Sequence, residues 1–204
     1  MEILDQWFHA FGHQPFPGMT SGNASAITSS FTFFNDFSVT DPNCVTSVFL
    51  NELIQNGHYA DAIQFLAHGL PKQQAITWAY ICFKQQDDGI NMKLDLIQSW
   101  LRNQAEEIRS HCGEHINDFK DPLTWLGLSV FWSGGNISTQ KDVIIEPVDT
   151  LCAHGVATAL ILSAVSYGLE DITKMYTTYI ERGIKYATNN SFIQQLSMNE
   201  KEGS

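Results

Sequence analysis

The feature that most constrains this chain is an apolar stripe at helical spacing that runs through residues 56–83 and is punctuated by Gly57 and Pro71. Tyr59, Ala62, Phe65 and Leu66 fall at i, i+3, i+6 and i+7, and Ile76, Ala79, Tyr80 and Phe83 at i, i+3, i+4 and i+7. Each set places one apolar face on a helix, and that face must be covered. Pro71 has no N–H to lose at the first position of a helix, so Gly69-Leu70-Pro71 is expected to end one helix and start the next. The expected result is a tight antiparallel hairpin with almost no loop.

The same grammar extends along the chain. Asp41-Pro42 and Asp121-Pro122 each read as a carboxylate N-cap followed by proline at N1. The helix opened by Asp41 runs to Gly57, and the one opened by Asp121 carries Trp125, Leu128 and Trp132 on one face before Ser133-Gly134-Gly135 stops it. One of the two glycines there is expected to hold a left-handed cap. Leu94, Ile97 and Leu101 mark a further helix, and 106–116 reads as a short polar one at the surface. Residues 151–167 are apolar nearly all round, as for a central helix, and fall short of the roughly 20 residues a membrane span needs. Ile172, Met175, Tyr176, Tyr179, Ile180, Ile184 and Ala187 form a last amphipathic helix, in which Gly183 would let a neighbour approach closely. The sum is an all-α fold: an irregular bundle or short solenoid of about seven or eight helices in consecutive hairpins.

Composition divides the chain differently. Residues 1–40 hold a short amphipathic helix over 3–11 and then an irregular arm rich in Pro, Gly, Ser, Thr, Asn and Phe; 41–188 form the helical domain; 189–204 are a polar tail. The arm is expected to be separable. Its aromatics Phe31, Phe33, Phe34 and Phe37 should cover something, most simply the domain's own surface and, in the sharper reading, a partner's groove. They are the candidate partner-binding residues, together with Trp132.

Eleven Lys and Arg face 22 Asp and Glu, a net charge of −11. That field repels phosphate backbones and anionic lipid, so nucleic-acid and membrane-surface roles are not expected. The opening Met1-Glu2-Ile3-Leu4-Asp5 lacks the positive start and apolar core of a secretory signal, and a cytoplasmic location is expected. Cys44, Cys82, Cys112 and Cys152 are widely spaced without a Cys-x-x-Cys pair, which predicts reduced thiols.

Chemistry-bearing motifs are scarce. His111, Cys112 and His115, with Cys152 and His154 as distant partners, have the ligand types zinc takes but no recognised ligand spacing. No nucleophile elbow, phosphate loop or dinucleotide fingerprint occurs. No catalytic residue, metal or cofactor is expected.

Two stretches carry a resemblance. Residues 62–79, AIQFLAHGLPKQQAITWA, and 130–137, VFWSGGNI, resemble an uncharacterised bacterial family whose members are often labelled, misleadingly, as twin-arginine translocation pathway signal proteins. The similarity runs over roughly 51–187, and the chain has no Arg-Arg pair at its start to support that label. The resemblance implies no activity. It implies genes that lie beside type VI secretion components, where small adaptors and effector chaperones are common. The expected function is therefore a non-enzymatic protein-binding module, an adaptor or effector chaperone whose partner is a secretion component or effector. The alternatives are an immunity protein that neutralises a toxin, and an enzyme with a site built from scattered His, Cys and Asp.

Overall fold

The computed structural model describes residues 8, 14–35, 39, 41–86, 91–114, 118–138, 140, 142–166, 168 and 171–188. Apart from Phe8, the helix expected over 3–11 lies outside them, as do Phe37, residues 87–90 and the tail from 189.

Regular structure among the described residues is helical: α1 (Ala24–Thr28), α2 (Thr46–Gln55), α3 (Tyr59–Gly69), α4 (Lys72–Lys84), α5 (Met92–Asn103), α6 (Glu106–Cys112), α7 (Pro122–Phe131), α8 (Thr150–Ser166) and α9 (Ile172–Thr188). The all-α expectation holds. No helix among the described residues is long and apolar enough to cross a membrane.

α8 is the central helix. Its buried residues, among them Cys152, Gly155, Val156, Ala159, Leu160 and Ala164, cover roughly half of its circumference, and it packs on α7, α3, α4 and α9 at once. α9 then returns to lie on α3 and α4. In a solenoid each unit touches only its neighbours, whereas here the last helix closes on early ones. The architecture is a bundle. Its closure centres on fully buried Trp78, whose Nε1 donates to the Tyr179 carbonyl at 2.9 Å. A Cβ on Gly183 would stand 2.9 Å from that indole and from Leu66 Cδ1, so the close approach expected at Gly183 is real.

Two local expectations fail. α3 and α4 do not form a tight hairpin: Leu70 and Pro71 are both extended, with ψ of 147° and 142°, and the chain turns a corner there. α3 and α4 touch each other sparingly, and each packs on α8 and α9 instead. Pro71 occupies the N-cap rather than the first helical position. Asp41-Pro42 opens no helix either, since α2 begins at Thr46 with Val45 at the N-cap. The Asp41 carboxylate accepts the Asn43 N–H at 2.9 Å in a local turn. Ala24 N–H donates to Cys44 O at 2.9 Å and Thr46 N–H to Gly22 O at 3.1 Å, so pairing with the arm holds the chain extended where a helix would otherwise run. Asp121-Pro122 meets no such competitor: Asp121 accepts Leu123 N–H at 2.9 Å and Pro122 is at the helix start.

The described part of the arm belongs to the same core. Phe16, Ala24 and Ile27 are buried in one apolar cluster with residues of α2, α3 and α4. Gly18 N–H donates to Ala187 O and Thr20 N–H to Gly69 O, both at 2.7 Å, satisfying carbonyls in the last turns of α9 and α3. Asn23 caps the single-turn helix α1 by accepting Ser25 N–H at 2.8 Å. The change of composition at residue 41 is therefore not a change of packing.

Candidate protein-binding surface

α6 carries Arg109, a basic residue only 4% exposed. A buried guanidinium needs carboxylate or carbonyl oxygens in its plane. Glu106, one turn earlier, receives Nε at 2.7 Å and Nη2 at 2.6 Å in a bidentate pair. Nη1 donates to the Phe131 carbonyl at the end of α7, and Nη2 to the Asn136 carbonyl at 3.0 Å. The guanidinium also sits 5.1 Å from the centroid of the Phe131 ring. Arg109 thus satisfies a carbonyl that helix geometry leaves without a partner, and fixes the chain that follows. Hydrogen bonding from Arg109 in turn holds the Glu106 carboxyl below its ordinary pKa. Gly135 is the left-handed residue of this turn, at φ +66°, and a Cβ there would meet Arg109 Nη2 at 2.6 Å. Gly134 has open space around it.

Asn136 passes this anchorage to the next segment. Its Oδ1 accepts Ile145 N–H at 2.8 Å and Ser138 N–H at 3.0 Å, and its Nδ2 donates to Val143 O at 3.1 Å. Ile137 N–H adds a bond to Ile145 O at 2.8 Å. Val143 N–H closes a local turn onto Gln140 O at 3.3 Å, while the main chains of Ile144 and Glu146 take no hydrogen bond from any described residue. Along this held segment Ile144 is 80% exposed, Val148 63% and Ile145 49%. Exposed Asp142, Glu146 and Asp149 lie among them.

The residues singled out in the sequence are distributed elsewhere. Phe31 and Phe33 are half-buried against the core; their rings are 4.9 Å apart, and Phe33 lies edge-on to Phe49 at 6.0 Å. They cover the domain itself. Phe34 is 65% exposed, and Phe37 lies outside the described residues. Trp132 is half-buried at the C-cap of α7 and is not among the residues packed on the main core, although Leu128, on the face expected to be shared, is buried. What holds the Phe-rich stretch is Asp61, fully buried in the first turn of α3. Its carboxylate accepts Phe34 N–H and Asn35 Nδ2–H, each at 2.7 Å, and Gln64 Nε2 reaches Thr32 O at 3.2 Å.

A concave region of about 350 Å³ lies between the arm and the starts of α4 and α8, lined in part by Ser30, His68, Lys72 and Cys152. Burial, reinforced by His154, lowers the His68 pKa to about 4, so the ring is neutral near pH 7. Ser30 Oγ donates to Ile27 O at 2.6 Å, which uses its one proton, and it lies 2.8 Å from His68 Nδ1. His68 is therefore the donor in that pair and Ser30 the acceptor, the reverse of what activating a serine nucleophile requires. Burial also pushes the Cys82, Cys112 and Cys152 thiols up to about 12. Thiols so placed stay protonated and unreactive. Of the zinc candidates, Cys112 and Cys152 are buried, exposed His111 pairs through Nδ1 with Glu114 at 2.8 Å, and His115 lies outside the described residues. No group of three metal-ligating side chains comes together among the described residues.

Sequence reasoning missed Asp61, Arg109, His68 and Asn136. A faint signal exists for Arg109, whose Glu106 sits at helical spacing, one turn earlier, in a chain with few basic residues.

A family model described as a family of unknown function (DUF6931) matches residues 49–187, nearly the stretch over which the resemblance to an uncharacterised family runs. No curated protein and no solved structure matches the chain.

Proposed function

The chain belongs to the DUF6931 family of unknown function, and from the surface its own fold builds we propose that it is a non-catalytic protein-binding module. One observation carries the proposal: exposed Ile144, Ile145 and Val148 are held outward by a built anchorage running from buried Arg109 through Asn136. An apolar segment with no function would gain by collapsing onto the protein, and contiguous exposed apolar surface marks interaction sites. The state of the buried thiols and of His68 supports the non-catalytic half of the reading. The excess of acids, 22 against 11 bases, favours a basic protein over nucleic acid or anionic lipid. The family resemblance implies the role of an adaptor or effector chaperone, with a type VI secretion component or effector as its partner.

Affinity capture from the native host tests this, with the wild-type chain beside an Ile144→Asp, Val148→Asp double variant of equal melting temperature. The proposal expects proteins retained by the wild type and lost by the variant. Retention of the same set by both, or of none by the wild type, overturns it.

A further inference from the structure

Residues 30–35 are held across α3 by three of its side chains. Asp61, Gln64 and His68 lie at i, i+3 and i+7 and so share one face of that helix. The arm crosses them in reverse order. Phe34 N–H and Asn35 Nδ2 donate to Asp61, each at 2.7 Å, Gln64 Nε2 donates to Thr32 O at 3.2 Å, and Ser30 Oγ lies 2.8 Å from His68 Nδ1. Thr32, Phe34 and Asn35 are exposed while Asp61 beneath them is fully buried, so this stretch is a single layer over α3. The earlier part of the arm is held by contacts that do not titrate: the burial of Phe16 and Ile27, and backbone bonds from Gly18, Thr20 and Ala24 to Ala187, Gly69 and Cys44.

At His68 the layer meets a group that does titrate. Ser30 Oγ donates its one proton to Ile27 O, so the hydrogen of the Ser30–His68 pair sits on His68 Nδ1 and Nε2 is the bare nitrogen. That Nε2 is buried and has no hydrogen-bond partner. Protonating it places a charged N–H where no described residue accepts it, in a ring packed 4.6 Å from His154 and 5.0 Å from Phe31. The other titratable groups nearby offer no compensation. Lys72 and Asp149 pair with each other at 3.1 Å, the Cys152 thiol stays protonated, and Asp61 is two turns away and bonded to the arm. Residues 14–35 carry no titratable side chain.

We propose that residues 30–35 are an acid-released strap: protonation of His68 lifts them off α3 while the helical bundle stays folded. Lifting gives Nε2–H water as its acceptor and lets Phe31 leave the imidazole. The same motion rehydrates the Asp61 carboxylate, so the lifted state strands no charge. Phe33 then uncovers Phe49 of α2. The sign follows from the folded His68 pKa of about 4, against roughly 6.5 for a solvated histidine. The lifted form binds the proton first, so lifting is favoured progressively as pH falls from ~6.5 to 4.

Amide hydrogen exchange on the full chain, corrected for the intrinsic pH dependence of each amide, tests this. Phe34 N–H reports on the strap and buried Leu160 in α8 on the bundle. The opening constant at Phe34 should rise at least about tenfold between pH 7 and 4.5, and at pH 4.5 should exceed that at Leu160 at least about tenfold. In His68→Gln, whose amide can still donate to Ser30 but takes up no proton, the rise should shrink to less than about threefold. No rise in the wild type, an equal rise in His68→Gln, or equal opening at Phe34 and Leu160 overturns the proposal. Nitrogen-15 imidazole spectra of the wild type at neutral pH provide a check that needs no variant. His68 must carry its hydrogen on Nδ1, and an Nε2–H tautomer overturns the proposal as well.

Discussion

The arm at residues 14–35 and the segment at 142–149 are both irregular and apolar, and both are tied down by a charged residue on a nearby helix. They put their apolar side chains in opposite places. Asp61 pulls Phe34 N–H and the Asn35 amide toward α3, and Phe31 and Phe33 settle against Phe49 and His68. Arg109 grips only the turn that precedes the second segment, and Asn136 holds that segment by its backbone, leaving Ile144 and Val148 in solvent. An apolar loop is therefore not in itself a binding site. What decides is whether the anchor leads the side chains inward or fixes the main chain and leaves them out.

The comparison is broken most severely by removing one member. A chain beginning at Asp41 loses the burial of Phe16 and Ile27, each worth about 1.5–3 kcal/mol. It also loses the bonds that the arm makes to Gly69 O and Ala187 O. A fall in melting temperature of roughly 10 °C is expected by calorimetry. An unchanged transition would show that the arm only decorates the domain. Arg109→Met comes next, at about 2 kcal/mol, because two backbone carbonyls lose a charged donor. Arg109→Lys should recover little of this, since an ammonium cannot span Glu106 and both carbonyls as the planar fork does. Full recovery by lysine would mean that charge alone suffices.

A pH titration then separates the arm side from the segment side. His68, beside Phe31 of the arm, has a folded pKa near 4, below the roughly 6.5 of an unfolded histidine. The unfolded chain binds the proton first, so this contribution is fully present above pH ~6.5 and is lost as pH falls toward 4. Replacing His68 by phenylalanine should flatten the stability profile across that window; an identical slope would assign the acid sensitivity elsewhere. The smallest effect is expected at Ile144→Asp, within about 0.5 kcal/mol of wild type by chemical denaturation, because the side chain is already solvated.

Helix positions were largely legible because a 3.6-residue stripe needs no tertiary information: the central helix at 151–167 and the closing helix through Gly183 follow from spacing alone. Asp121-Pro122 was legible and Asp41-Pro42 was not, although the dipeptides are identical. The difference is a long-range one, the pairing of Cys44 and Thr46 with the arm. Trp132 shares a helical face with Trp125 and Leu128 in the sequence, but it falls just past the last turn of α7, at the C-cap. Its truncation should be milder than that of Trp78, which is fully buried. The candidate surface was the least legible part. An extended run at 143–145 could be read from β-branched residues, but its exposure depends on Arg109 and Asn136, whose side-chain bonds reach across 27 and nine residues of sequence.

Amide hydrogen exchange, resolved residue by residue, measures the contrast between the two regions directly. In the free protein the Phe34 and Ile145 amides, bonded to Asp61 and Asn136, should be protected, while those of Ile144 and Glu146 should exchange near the rate of an unstructured chain. Protection of Ile144 and Glu146, or free exchange at Phe34 and Ile145, would contradict the account.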